Sequence, residues 1–198
     1  MATPKKLPTV LTEDEQARLL KQPNRRYPTG ERNQTMLHLM LNTGLRLAEV
    51  TALKWSDVDL TTGKLMVREG KGAKDRTLWI AEVDIDRLRS WRERQAKEVG
   101  ACDHAFTTLE GKPLDHRYVQ RMVKRYAAKA GIAKNVSPHT LRHSFATDLY
   151  RETSKIRLVQ KVLGHSDLST TMIYTHIHDP EVEEALKSFR QPAAVMSN

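Results

Sequence analysis

A mainly α-helical domain carrying one small three-stranded antiparallel sheet is the fold class the sequence predicts, and three observations predict it. Apolar residues recur at helical spacing through most of the 198 residues. Several of those stretches open on a capping residue, in two cases followed at once by proline. Only between Asp57 and Ile80 does the period change to two, in runs short enough to be strands. A chain of this length buries one substantial core, so a single globular domain with loose ends is expected.

The first ten residues, "MATPKKLPTV", read as a basic, extended lead-in resembling a linker (1–10). Thr12 with Glu15 forms a capping box that opens a helix over about 12–21. A second helix is expected over about 31–42, with Met36, Leu37, Met40 and Leu41 on its apolar side and Gly44 just past its end. "DVDL", "KLMVRE" and "RTLWI" follow as three short strands separated by "TTG" and "GKGAKD", a meander. Helical pattern then resumes. Asp115 caps "HRYVQRMVKRYAAKAG", Ser137 with Pro138 opens "HTLRHSFATDLY", and Asp179 with Pro180 opens "EVEEALKSFR". In the last of these Val182, Ala185, Leu186 and Phe189 share one side.

The formal net charge is +9, with pI ≈ 9.7, so the surface attracts polyanions, nucleic acid first among them. Anionic membranes attract the same charge, but no helix pairs a wide apolar face with a lysine-rich one, so no membrane partner is expected. There is no stretch of eighteen apolar residues, no signal-peptide core and no internal repeat. The single cysteine, Cys102, has no partner for a disulfide or a zinc knuckle, which fits a reducing, cytoplasmic compartment; its expected role is a small buried hydrophobe.

Several side chains are of the types that handle a phosphate without a metal. Arg46 in "NTGLRLAEV" follows a glycine turn, with Glu49 three residues on to brace it. Lys71 in "REGKGAKDR" lies between two glycines at a hairpin tip that also carries Lys74. His139 and Arg142 in "SPHTLRH" share a face of a first helical turn, where free N–H groups favour an anion. "LGHSDLSTTMIYTH" presents His165 and, nine residues later, Tyr174. Taken singly, each has a plainer reading: a surface ion pair for Arg46, a solvated turn residue for Lys71, a helix cap for His139, a core ring for Tyr174. His139 and His143 also stand at zinc-ligand spacing, but no glutamate or cysteine completes a site, and no metal or other cofactor is expected.

Together and in this order, "GLRLAE", "GKG", "HTLRH", "LGHSDLSTT" and "YTH" resemble the tyrosine recombinases, or phage integrases, nearest to their Xer-type and integron or transposon members. The resemblance runs from about Leu11 to His176 and implies a catalytic domain over 11–178, built like that of the type IB topoisomerases. It implies Tyr174 as nucleophile toward a scissile phosphodiester, with a bond to the DNA 3′ phosphate. Arg46 and Arg142 are implied to hold the non-bridging oxygens, Lys71 to protonate the leaving 5′ oxygen, His139 to assist proton transfer at the tyrosine, and His165 to hydrogen-bond the phosphate or pack against the site. It further implies a homo-oligomer on double-stranded DNA, expected as a tetrameric synapse, with the 179–198 tail docking on a neighbouring subunit.

Chemistry supports these residue types independently of the family. A tyrosine of ordinary pKa, near 10, is about one part in a thousand ionised at pH 7, so a base or a cationic field must assist it. Arginine forks stay charged and match the equatorial oxygens of a phosphorane-like transition state. The polar, β-branched run Thr170, Thr171, Ile173 and Thr175 predicts a weak helix, and with it an accessible, movable Tyr174. A basic stripe of Arg117, Arg121, Lys124 and Arg125, together with Lys74, is expected to contact DNA phosphates. Two departures stand out. The helical domain that in the family precedes the catalytic one is not in this sequence, and Thr153 stands where the family often has glycine. A type IB topoisomerase-like relaxing enzyme and a non-catalytic DNA-binding module remain the alternatives.

Overall fold

The computed structural model describes residues 8–68 and 75–175. Lys71 and Lys74 of the expected hairpin tip, the 1–7 part of the lead-in and the whole 179–198 tail lie outside the described residues. Among the described residues seven α-helices and one two-stranded sheet follow in the order α1 (Glu13–Leu20), α2 (Pro28–Thr43), α3 (Leu47–Ala52), β1 (Lys64–Val67), β2 (Arg76–Trp79), α4 (Glu82–Val99), α5 (His116–Lys129), α6 (Pro138–Thr153) and α7 (Ile156–Leu163).

α2 is the axle of the fold. It packs against α4 on one side and α6 on another, and Met36, Leu37, Leu39 and Met40 are all but inaccessible. A helix covered on most sides has little amphipathic signature, and its start was correspondingly hard to read. It begins at Pro28, three residues before the expected position, with proline in the first turn where no hydrogen bond is lost. Its buried polar residues are tied to neighbours. Arg32 donates to Thr107 O and Asn33 Oδ1 and packs against Tyr118, while Glu31 accepts from Ser90 and Arg94 of α4.

Helix starts with local capping chemistry lie where the sequence puts them. Thr12 and Glu15 exchange the two bonds of a capping box, Asp115 accepts from the N–H groups of Arg117 and Tyr118, and Ser137 caps α6 with Thr140. α6 runs through Thr153 and ends on Ser154 in the left-handed region (φ 53°), with its N–H on Tyr150 O. A serine thus occupies a left-handed cap position that glycine usually fills.

Among the described residues the sheet has two strands, not the expected three. Residues 55–57 wind into a 3-10 turn and Val58 makes a single bridge to Leu65. Asp59 then turns its carboxylate on the N–H groups of Thr61 and Thr62, closing a turn where a strand would have continued. Lys64↔Trp79 and Val67↔Arg76 set the antiparallel register, which puts Arg76 and Leu78 on one face and Thr77 and Trp79 on the other. The 101–114 segment is irregular, anchored by Ala105 and Phe106 in the core and by Trp91 Nε1 on Ala105 O. Cys102 at its start is half-buried rather than part of the core.

A second, smaller core joins α6 to α7 through Ala146, Tyr150, Val159 and Leu163, and Tyr174 completes it. Gly44, the left-handed cap of α2 (φ 64°), lies against this region. A Cβ there would stand 2.4 Å from Phe145 Cδ1 and 3.0 Å from Leu163 Cδ2. Gly44→Ala is therefore expected to cost about 1–3 kcal/mol through strain and overpacking, read as a lower urea midpoint. An unchanged midpoint would show that α6 and α7 move aside freely.

No helix among the described residues is long and apolar enough to cross a membrane.

Candidate active site

The site is assembled on the C-terminal end of α7. The last carbonyls of a helix have no partner within it and carry its negative pole, so cations gather there. Three successive carbonyls each take one guanidinium from a different part of the chain. Val162 O accepts from Arg76 Nε at 2.9 Å, Leu163 O from Arg142 Nη2 at 2.7 Å, and Gly164 O from Arg46 Nη2 at 3.2 Å. Arg142, 6% exposed, also donates to Gly44 O at 2.6 Å, joining the ends of α2 and α7. Burial and the neighbouring Arg46 charge bring its pKa down to about 10, still cationic at neutral pH.

Glu49, in the first turn of α3, braces Arg46 as its spacing suggests. It accepts the Arg46 backbone N–H at 2.7 Å and Arg46 Nη1 at 2.7 Å. Sequence reasoning missed its second partner, Arg76, whose two Nη atoms meet the two carboxylate oxygens at 2.9 Å each. Burial pushes the Glu49 carboxyl up, but hydrogen bonds and charge from Arg76 and Arg46 outweigh it and hold the pKa at about 2. Arg76 could have been found from the period of its strand, which sets it on the same face as buried Leu78. Beside this pair a cleft of about 820 Å³ opens between α3 and β1, lined by Arg46, Glu49, Lys54, Met66 and Arg68.

His165 sits between Arg142 and Thr171. Arg142 Nη2 can only donate, so His165 Nε2, 3.1 Å away, accepts with its lone pair. The ring proton is thereby assigned to Nδ1, which donates to Thr171 Oγ1 at 2.9 Å. Burial, then the charges of Arg142 and Arg46, push the His165 pKa down to about 4. A histidine whose folded pKa lies below its ordinary value contributes stability that is complete above about pH 6.5 and is lost as pH falls toward 4. Thermal unfolding at pH 7.5 and 4.5 is expected to show less acid destabilisation in His165→Gln than in the unsubstituted chain, against a background set by His38 and His143, which burial also depresses. Parallel pH curves would refute this environment for His165.

Tyr174 is where structure and expectation part. It is 1% exposed, in a 3-10 turn (Met172–Tyr174) rather than on an accessible segment. In such a turn residues three apart eclipse, so Thr171 and Tyr174 both face inward while Met172 points out. The Tyr174 hydroxyl lies 2.9 Å from His143 Nδ1, and burial pushes its pKa up to about 12 against the opposing charge of Arg142. His139, expected to assist the tyrosine, is exposed on the first turn of α6; the imidazole in contact is that of His143, one turn further on. Among the described residues no three His, Cys, Asp or Glu side chains converge as metal ligands. Arg117, Arg121, Lys124 and Arg125 all lie exposed on α5, which packs beside α3.

Comparison with known proteins extends these observations. The phage integrase family matches residues 9–181. Tyrosine recombinase XerC of Xanthomonas axonopodis pv. citri is 42% identical over 174 residues, covering 88% of this chain and 56% of that protein. Tyrosine recombinase XerD of Staphylococcus saprophyticus is 39% identical over 197 residues, covering 96% of this chain and 66% of the relative, so the chain spans less than two thirds of either. The crystal structure of the XerH site-specific recombinase bound to a palindromic difH substrate, a post-cleavage complex, superposes with a TM-score of 0.81 at 31% identity, over 94% of this chain and 54% of that one. Matched across almost all of the described core and this similar to Xer recombinases, the chain belongs to the phage integrase family.

Proposed function

We propose that this chain is the catalytic domain of a site-specific DNA recombinase that cleaves and rejoins DNA through a 3′-phosphotyrosyl intermediate, without metal or ATP. The observation that carries the reading is the convergence of Arg46, Arg142 and His165 on the end of α7, with the Tyr174 hydroxyl inside the field of Arg142. A scissile phosphate entering there exchanges the carbonyl partners of Arg46 and Arg142 for its own non-bridging oxygens. The Tyr174 oxygen then attacks phosphorus, the bond to the 5′ oxygen breaks, and Lys71 supplies the proton that oxygen needs, while an imidazole on α6 takes the phenolic proton. Phenolate is a better leaving group than a 5′ alkoxide, so another 5′ hydroxyl can attack the phosphotyrosine and reseal the strand with no outside energy source.

Reaction requires the buried hydroxyl to reach the phosphate. The two 3-10 turns at Leu168–Thr170 and Met172–Tyr174 lack the full bonding of an α-helix and can re-form at modest cost. Double-stranded DNA is the partner, its backbone met by the exposed stripe on α5 and by Lys74. Assembly on it is as a homo-oligomer, a tetrameric synapse, with the 179–198 tail contributed to a neighbour. The compartment is the cytoplasm.

The test uses a half-site that the protein itself selects from a randomised duplex pool, prepared with a nick so that a cleaved strand cannot be resealed. A protein–DNA adduct that survives denaturation, with the label on the 3′ phosphate side, supports the reading; binding without adduct reduces the chain to a DNA-binding module. Relaxation of a plasmid with no exchange between two copies of the selected site would make it a topoisomerase-like enzyme instead.

A further inference from the structure

Arg76 has a place in this site that its strand position alone does not explain. Its side chain is 9% exposed, and all three of its nitrogens are engaged inside the protein: Nε with Val162 O, Nη1 and Nη2 with the Glu49 carboxylate. It is therefore not poised to meet a phosphate, unlike Arg46, whose side chain is 37% exposed at the cleft. Its fork does something else. A carboxylate is positioned in two dimensions by a bidentate guanidinium, and that carboxylate in turn holds Arg46 by both its backbone N–H and its Nη1. Arg76 also fastens the same assembly to α7, one residue before the carbonyl that Arg142 uses. The separation of Arg46 from Arg142 is thus set both by the direct bond of Arg46 to Gly164 O and by a chain of contacts in which Arg76 ties β2 and α3 to α7.

We propose that Arg76 is a positioning residue for strand cleavage, acting through Glu49 to hold the Arg46 guanidinium in register with Arg142. The inference rests on the strand-transfer reading above. Displacing a phosphate-holding fork by about an ångström costs on the order of a hundredfold in rate.

The experiment is single-turnover adduct formation by the full chain on the nicked, self-selected half-site, for Arg76→Gln, Glu49→Gln and the double variant, with DNA affinity measured beside it. Arg76→Gln is expected to slow cleavage on the order of a hundredfold while DNA affinity stays within about twofold. In the Glu49→Gln background the same change should slow it by less than about threefold more, since the path through Glu49 is already cut. Cleavage at the unsubstituted rate, a loss confined to affinity, or an equal loss in both backgrounds would each overturn the proposal. Should Arg76→Gln not fold, Arg76→Lys keeps the buried charge but not the fork, and the same comparisons decide. If the unsubstituted chain forms no adduct, the strand-transfer reading itself fails, and the side-chain ¹⁵N resonance of Arg46 Nε then reads positioning alone. Sharp in the unsubstituted chain and lost in the Arg76 variant, it supports the proposal; unchanged, it overturns it.

Discussion

Tyr174→Phe is expected to form no detectable adduct on the nicked half-site, a fall of about four orders of magnitude or more, while the protein remains folded and bound to DNA. The phenylalanine ring fills the same place between α6 and α7, so the packing of Ala146, Tyr150, Val159 and Leu163 is kept. What is lost is the hydroxyl and its bond to His143 Nδ1. That imidazole is only half-buried and can turn to water, so the stability change should stay within about 1 kcal/mol. A second measurement checks the burial directly. The folded protein holds the Tyr174 proton more tightly than the unfolded chain does, with a pKa of about 12 against the ordinary 10. Its contribution to stability is present below about pH 10 and is lost as pH rises toward 12. Urea midpoints at pH 8 and pH 11 should therefore fall further apart in the unsubstituted chain than in Tyr174→Phe. Adduct formation by the phenylalanine variant would assign the nucleophile elsewhere, and equal alkaline losses would place the ring outside its pocket.

Arg142 is the position where stability and chemistry are most entangled. Arg142→Ala removes the donor to Gly44 O and Leu163 O at once and empties a buried volume. Leaving two carbonyls without their partner costs about 2–4 kcal/mol, offset in part by no longer burying a charge. Cleavage should fall about a thousandfold or more, because the transition state loses a buried, charged fork. Arg142→Lys separates the two effects. An ammonium restores the charge but cannot span both carbonyls and a phosphate oxygen in the plane that a guanidinium occupies. Most of the stability is expected back, with cleavage still down about a hundredfold or more. Cleavage within tenfold of the unsubstituted chain would take Arg142 out of phosphate binding and leave it as a strut between α2 and α7.

The parts of the fold legible in the sequence were those fixed by local chemistry. Thr12, Asp115 and Ser137 announce their helices because a cap is made by residues within one turn. The third strand was not legible, because alternation at "DVDL" competes with the readiness of Asp59 to close a turn on Thr61 and Thr62, and the turn wins. Arg46 with Glu49 is readable as a pair three residues apart, whereas Arg76 stands 27 positions beyond Glu49 in the chain. The burial of Tyr174 was hidden by composition. Four polar or β-branched neighbours suggest an exposed segment, but the tight winding sends Thr171 and Tyr174 inward together, and both are buried. Contact with His143 rather than His139 was beyond reach for the same reason: both lie on one face of α6, and only the depth of the tyrosine chooses between them.

The hydroxyl at Thr171 has a consequence for the imidazole beside it. While Arg142 points at Nε2, Thr171 receives a proton from the far side of the ring; for His165 to offer Nε2–H to a phosphate oxygen, that polarity must run backwards. A hydroxyl both donates and accepts, so Thr171 can hold the His165 ring in either polarity without moving.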